Sequence, residues 1–184
     1  MLIDDQITPP LPPAGIQNRI IAWCVDRIVL LPFTIGVMNV FVGSKSLPIM
    51  VLLLVGEALY KPVTEKLYGQ TLGKRVTGIR VVTQEYGGEI TWNQSLLRFL
   101  PWALSFYATI FVYIRYFEAP GFAEITDWYG MVDFQRNHPM SNSTLVAMLT
   151  AMPMFSTIWI FSDVLRRAIH DRIAGTVVIS DPRE

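Results

Sequence analysis

The chain is short of charge, histidine and cysteine. Asp, Glu, Lys and Arg make up 16% of its 184 residues, and it holds two histidines and one cysteine at zero formal net charge. Soluble domains carry about 25% charged residues, so an ordinary soluble domain is a poor fit. Zero net charge removes the overall field that attracts nucleic acid, and no nucleic-acid partner is expected. The lone Cys24 excludes an intrachain disulfide, and beside Trp23 and Val25 it reads as a small hydrophobe. His138, His170 and one cysteine supply no zinc or iron ligand set, so neither a metal centre nor a cofactor is expected. A Gly-x-Ser-x-Gly nucleophile elbow is missing. The glycine-punctuated run from Gly69 to Lys74 is one residue short of a phosphate loop, and Arg75 stands where a magnesium-binding Ser or Thr belongs. Nothing in these residues points to an enzyme.

What the chain has is apolar length. Hydrophobic residues reach 52% and the mean hydropathy is +0.38. Four stretches, residues 20–42, 47–60, 96–117 and 144–164, carry very few charges. A helix rising ~1.5 Å per residue needs about 20 apolar residues to cross the hydrocarbon layer. Three stretches suffice, and the second does if its helix continues through residues 61–66. The pattern predicts an all-α integral membrane protein, with four transmembrane helices near 17–42, 47–66, 95–117 and 143–165. Pro32 and Pro153 should bend the first and fourth. Its first partner is then the lipid bilayer.

Outside these stretches the sequence is polar. Residues 1–15, with Pro9, Pro10, Pro12 and Pro13, read as a disordered tail ahead of a membrane domain spanning 16–180, and 181–184 as a closing tail. Ile79-Arg-Val-Val82, a Gly87-Gly88 turn and Glu89-Ile-Thr-Trp92 predict a small cytoplasmic β-hairpin near 78–92, between helices 2 and 3. A further strand-like run at 177–179 is suited to adding to it. Twelve of the fifteen lysines and arginines fall in the N-terminal segment, the middle connector and the C-terminal tail; Lys45, Arg115 and Arg136 are the others. The positive-inside bias therefore predicts both termini in the cytoplasm, in a multi-pass protein of the cell (inner) membrane. The acidic connector 118–142 would face outward.

Ionisable residues inside a bilayer are costly and turn towards protein or water. Arg19, Asp26 and Arg27 lie in the first stretch, Glu57 in the second, Arg98 at the start of the third and Asp163 at the end of the fourth. Arg19 and Asp26 share a helix face but stand ~10.5 Å apart along the axis, too far to pair with each other. Asp26 could meet Arg98 or a tail arginine, and Arg19 could meet Glu57, Asp163 or Asp171. Two readings stay open. The charges pair structurally and fix helix packing, or Asp26 binds a proton or cation with Arg19 and Glu57 tuning it. Lys74, Arg75 and Arg80 could contact anionic headgroups, at about 1 kcal/mol each.

Three ordered motifs carry a family resemblance. They are Arg19-Ile-Ile-Ala-Trp-Cys-Val-Asp26, then Gly69-Gln-Thr-Leu-Gly-Lys-Arg75 followed by Gly78-Ile-Arg-Val-Val82, then His170-Asp-Arg-Ile-Ala-Gly-Thr-Val-Val178. Set among apolar helices, they resemble the RDD family of small membrane proteins. The resemblance assigns the family's arginine and two aspartates to Arg19, Asp26 and Asp171, and marks Gly69, Gln70, Thr71, Gly73 and Lys74 as motif positions. It implies a transport role such as cation/proton exchange for some members. The alternative is a non-catalytic scaffold or accessory subunit, in either case with a second copy or another membrane protein as partner.

Overall fold

The computed structural model describes residues 12–85 and 87–181. Most of the expected proline-rich tail, and the closing tail from residue 182 on, lie outside these. The element order is α1 (Ile16–Val42), α2 (Leu47–Tyr68), α3 (Leu72–Val76), β1 (Ile79–Thr83), α4 (Trp92–Glu118), α5 (Trp128–Asn137), α6 (Thr144–Thr150), α7 (Met152–Ile158), α8 (Ile169–Ile173) and β2 (Thr176–Ser180). Short 3-10 turns lie at Phe122–Glu124, Pro139–Asn142 and Trp159–Phe161.

Three helices, α1, α2 and α4, are long and apolar enough to cross a membrane. Pro32, Pro62 and Pro101 lie inside them without dividing them. The expected fourth helix is instead a bent pair. The segments Thr144–Thr150 and Met152–Phe161 meet at 55°. Pro153 accounts for the break, because it cannot donate to the carbonyl one turn back. Ala151 caps α6 and accepts from the Met154 and Phe155 N–H groups.

The chain divides into two compact units. One contains residues 29–60 and 101–155. Its core is apolar and aromatic: Val37, Phe41, Met50, Leu54, Tyr116, Phe122, Ile125 and Met131. Phe41 sits edge-on to Tyr113, Tyr116, Phe117 and Phe122 at 5.0–6.0 Å between ring centroids, the arrangement aromatic quadrupoles favour. α1 and α2 approach closely here, since a Cβ on Gly56 would lie 2.8 Å from the Phe33 ring.

The other unit takes in residues up to 28, with 61–100 and 156 onward. It contains the sheet, which corrects the expected hairpin. β1 pairs antiparallel with β2, from Ile79↔Ser180 to Thr83↔Thr176. Residues 88–91 form no strand and lead straight into α4. The C-terminal run is longer and wholly apolar at its centre, so it outcompetes the local partner. A two-stranded sheet is marginal by itself. Here apolar clusters cover both faces: Ile79, Val81 and Val178 pack with Ala14, Ala22 and Ile90, and Val82, Val177 and Ile179 with Leu165. The last residues of the expected tail are also held, since the Ala14 N–H donates to Val178 O at 2.9 Å.

Candidate functional site

The glycine-punctuated segment after α2 is a backbone device. Gly69 ends the helix in the left-handed region (φ +70°), and its N–H donates to Glu65 O at 2.9 Å, a turn glycine adopts without a Cβ penalty. Thr71 then caps α3 by accepting the Lys74 N–H at 3.3 Å. Its hydroxyl donates to Asp26 Oδ2 at 2.7 Å, while the Gly73 N–H donates to Asp26 Oδ1 at 2.8 Å. A Cβ on Gly73 would stand 2.0 Å from Ala22 O. Only glycine lets the backbone come this close to α1. Both oxygens of Asp26 thus hold the start of α3.

One residue on, Lys74 turns inward and opens a buried charge cluster. Its ammonium pairs with Glu65 Oε1, and Arg98 Nε donates to Glu65 Oε2 at 2.9 Å. Arg98 Nη1 meets Asp171 Oδ1 and also Thr176 Oγ1 at 2.7 Å. Arg19 Nη1 approaches Asp171 Oδ2 at 3.5 Å, and Nη2 reaches Val178 O at 3.4 Å. The Ala168 N–H donates to Asp171 Oδ2 at 3.0 Å and closes the first turn of α8. Lys61 is near enough for its charge to act on Glu65 and Lys74. Glu65 and Asp171 are 0% exposed and Arg98 1%. Burying such ions costs several kcal/mol each by order of magnitude, and good geometry must offset it. A forked, permanently charged guanidinium suits the centre, because it can hold two carboxylates at once.

These surroundings set protonation. Burial pushes the Asp171 carboxyl up, but the charges of Arg98 and Arg19 and the Ala168 N–H outweigh it and hold it below the usual carboxylate range. Burial draws the Lys74 ammonium below its ordinary value, against the charge of Glu65. Burial also puts His170 well below the usual imidazole range, with Asp171 pulling the other way, so the ring is neutral near pH 7. Ser156 Oγ accepts the His170 N–H at 3.3 Å and lies 2.7 Å from Nδ1. Its proton therefore goes to Nδ1, and Nε2–H faces Asp171 Oδ1 at 3.5 Å. The resulting Ser156, His170 and Asp171 chain has an order familiar from hydrolases, but Ser156 is only 5% exposed. Asp171 already serves Arg98, Arg19 and Ala168, so the chain braces α8 against Ser156 of α7.

The structure brings Arg19 and Asp171 together and places Asp26 on Thr71 and Gly73. Glu57 lies in the other, aromatic unit, where its charge acts on Tyr113. Of the three residues expected at headgroups, Arg75 is exposed on α3, whereas Lys74 is turned to Glu65 at 13% exposure. Arg80 lies 3.7 Å from Asp181, with its Nε buried and unbonded. Gln70 is half-buried beside Gly69. The central members Glu65, Lys61 and Thr176 escaped sequence reasoning. Lys61 and Glu65 stand four apart on the extension of α2, and that spacing was the available signal.

Among the described residues, no group of three or more His, Cys, Asp or Glu is placed to hold a metal ion. No curated protein and no solved structure matches the chain. The profile of the RDD family matches residues 13–175, a range holding Arg19, Asp26, the Gly69–Lys74 motif positions and Asp171. The chain belongs to the RDD family.

Proposed function

We propose that this protein is a non-catalytic membrane scaffold or accessory subunit, whose buried charges join a polar module to its membrane helices. The module consists of α3, the β1–β2 pair and α8. One observation carries the reading: Glu65 and Asp171 are 0% exposed and both held by Arg98. An ion-coupling carboxylate has to exchange its ligand with water, and neither has a water-facing oxygen. Asp26, which is half-buried, accepts from Thr71 and Gly73 at the start of α3 through both oxygens. Buried ion clusters contribute orientation and register better than they contribute stability, which fits a part that presents a surface to a second copy or another membrane protein. Both termini and the module then lie on the cytoplasmic side of the cell membrane, following the bias of lysine and arginine.

A second reading, cation/proton exchange, draws on a different observation. Four cations, Arg19, Lys61, Lys74 and Arg98, surround the two carboxylates Glu65 and Asp171. The Lys74 ammonium, drawn down by burial, could give up a proton to an incoming cation. Flux measured in proteoliposomes separates the two. The scaffold reading expects no cation-driven proton flux with sodium, potassium or lithium in folded wild type. Flux that disappears in a folded Asp26→Asn variant would overturn it in favour of exchange through Asp26.

A further inference from the structure

The connector between α4 and α6, which the family motifs leave out, carries an edge suited to lipid. Its core side is settled: Phe122, Ile125 and Met131 are buried in one cluster with Phe41 near the end of α1, Met50 near the start of α2 and Tyr116 near the end of α4. Lys45, in the turn between α1 and α2, donates to Ala123 O at 2.5 Å and lies 5.8 Å from the centre of the Phe122 ring. The connector is thus fastened at the level where three apolar helices end.

Helix α5 then has three faces. At 100° per residue, Met131 and Phe134 fall on the core side, and both join the cluster. Trp128, Tyr129 and Val132 occupy an adjoining arc and are 47%, 85% and 56% exposed. Arg136 sits within that arc, and Asp133 and Asn137 lie beyond it; all three are exposed. An aromatic edge interleaved with one arginine, and bordered by acid and amide, is the chemistry of the headgroup layer. Indole and phenol rings settle there, and a guanidinium extends to phosphate while its stem stays among apolar groups. A water-facing helix has no use for such an arc, and a core helix would bury it.

We propose that α5 is an interfacial helix whose Trp128–Tyr129–Val132 edge enters the phospholipid headgroup layer, with Arg136 on the phosphates and Asp133 and Asn137 in water. The proposal rests on the membrane reading of α1, α2 and α4. It gives the connector a task, that of fixing the depth of the helix ends.

The test uses full-length protein in phosphatidylcholine–phosphatidylglycerol liposomes. Cys24→Ser removes the native thiol, and single cysteines are introduced by Val132→Cys, Tyr129→Cys, Asn137→Cys and Leu52→Cys and labelled with a fluorophore. Lipids carrying a quencher high on the acyl chain, lipids carrying it near the chain end, and aqueous iodide are compared. Labels at 132 and 129 should lose fluorescence to the shallow lipid quencher and keep it against iodide, with the reverse at 137. The label at 52, on an exposed face of α2 (Leu52 is 70% exposed), should respond to lipid quenchers alone. Quenching of 132 and 129 by iodide, or protection from all three quenchers by a second protein copy, would overturn the proposal. Loss of lipid quenching at 52 would overturn the membrane reading as well, so the two failures are distinguishable.

Discussion

The two compact units differ in the polar groups they bury, although both have apolar clusters. All of the buried polar and charged side chains among the described residues, Glu65, Thr71, Ser95, Arg98, Ser156, His170, Asp171 and Thr176, belong to the unit with the sheet. The other unit buries Phe41, Met50, Tyr116, Phe122 and their neighbours. Contact between apolar groups is non-directional, so an aromatic core accepts changes that keep volume. A buried ion or hydrogen-bond donor has few acceptable partners and sharp angles. The first unit should therefore be specified by identity, and the second by size. All three family motifs map to the first.

That contrast predicts how each unit breaks. The largest effect is expected for Arg98→Met, which leaves Glu65 and Asp171 without the cation they share. Removing one partner of a buried pair costs about 3–5 kcal/mol, enough to empty the folded fraction in detergent size-exclusion profiles. Arg98→Lys should restore only part of this, because one ammonium cannot reproduce the fork. Gly73→Ala comes next. Its methyl group would need the space of Ala22 O and must push α3 off Asp26, at roughly 1–3 kcal/mol by the cost of overpacking, read as a lowered Tm.

A pH dependence follows at smaller scale. His170 has its folded value well below the ordinary one of about 6.5, so below that pH the unfolded chain takes up a proton that the folded chain refuses. Stability should fall as pH drops from 7 towards 5, by at most about 1.4 kcal/mol per pH unit. Asp171 is depressed too, but its contribution is complete above the ordinary carboxylate value of about 3.9. It is lost only as pH falls below that, so it adds no slope in this window. Thermal unfolding of His170→Asn across pH 5–7.5 should be flatter than wild type. The smallest effect belongs to the aromatic unit, where Met50→Leu should cost less than about 1.5 kcal/mol. A loss there as large as that of Arg98→Met would abolish the comparison.

Apolar length and the ordered motifs made the three long helices, the family and part of the charge network readable from sequence. Arg19, Asp26 and Arg98 stood out because charge is rare in such stretches, and Asp171 through the family motif. Glu65 did not, since it lies where α2 leaves its apolar run and resembles a solvated helix end. Glu57 drew attention in its place, eight residues and ~12 Å earlier along the helix. Strand pairing was harder. The turn chemistry of Gly87-Gly88 favours a local hairpin, yet the partner that buries both faces of β1 lies nearly a hundred residues away. Tertiary burial decided between them.

The central claim is that the buried charges hold one another in place. A double-mutant cycle of Lys74→Met and Glu65→Gln, read by thermal unfolding in detergent, tests it most directly. Coupled residues depart from additivity by about 0.5–3 kcal/mol. The account predicts that the double variant loses less than the sum of the singles, within that range. Losses that simply add would contradict it, and would mean that the Lys74–Glu65 contact supports no part of the fold.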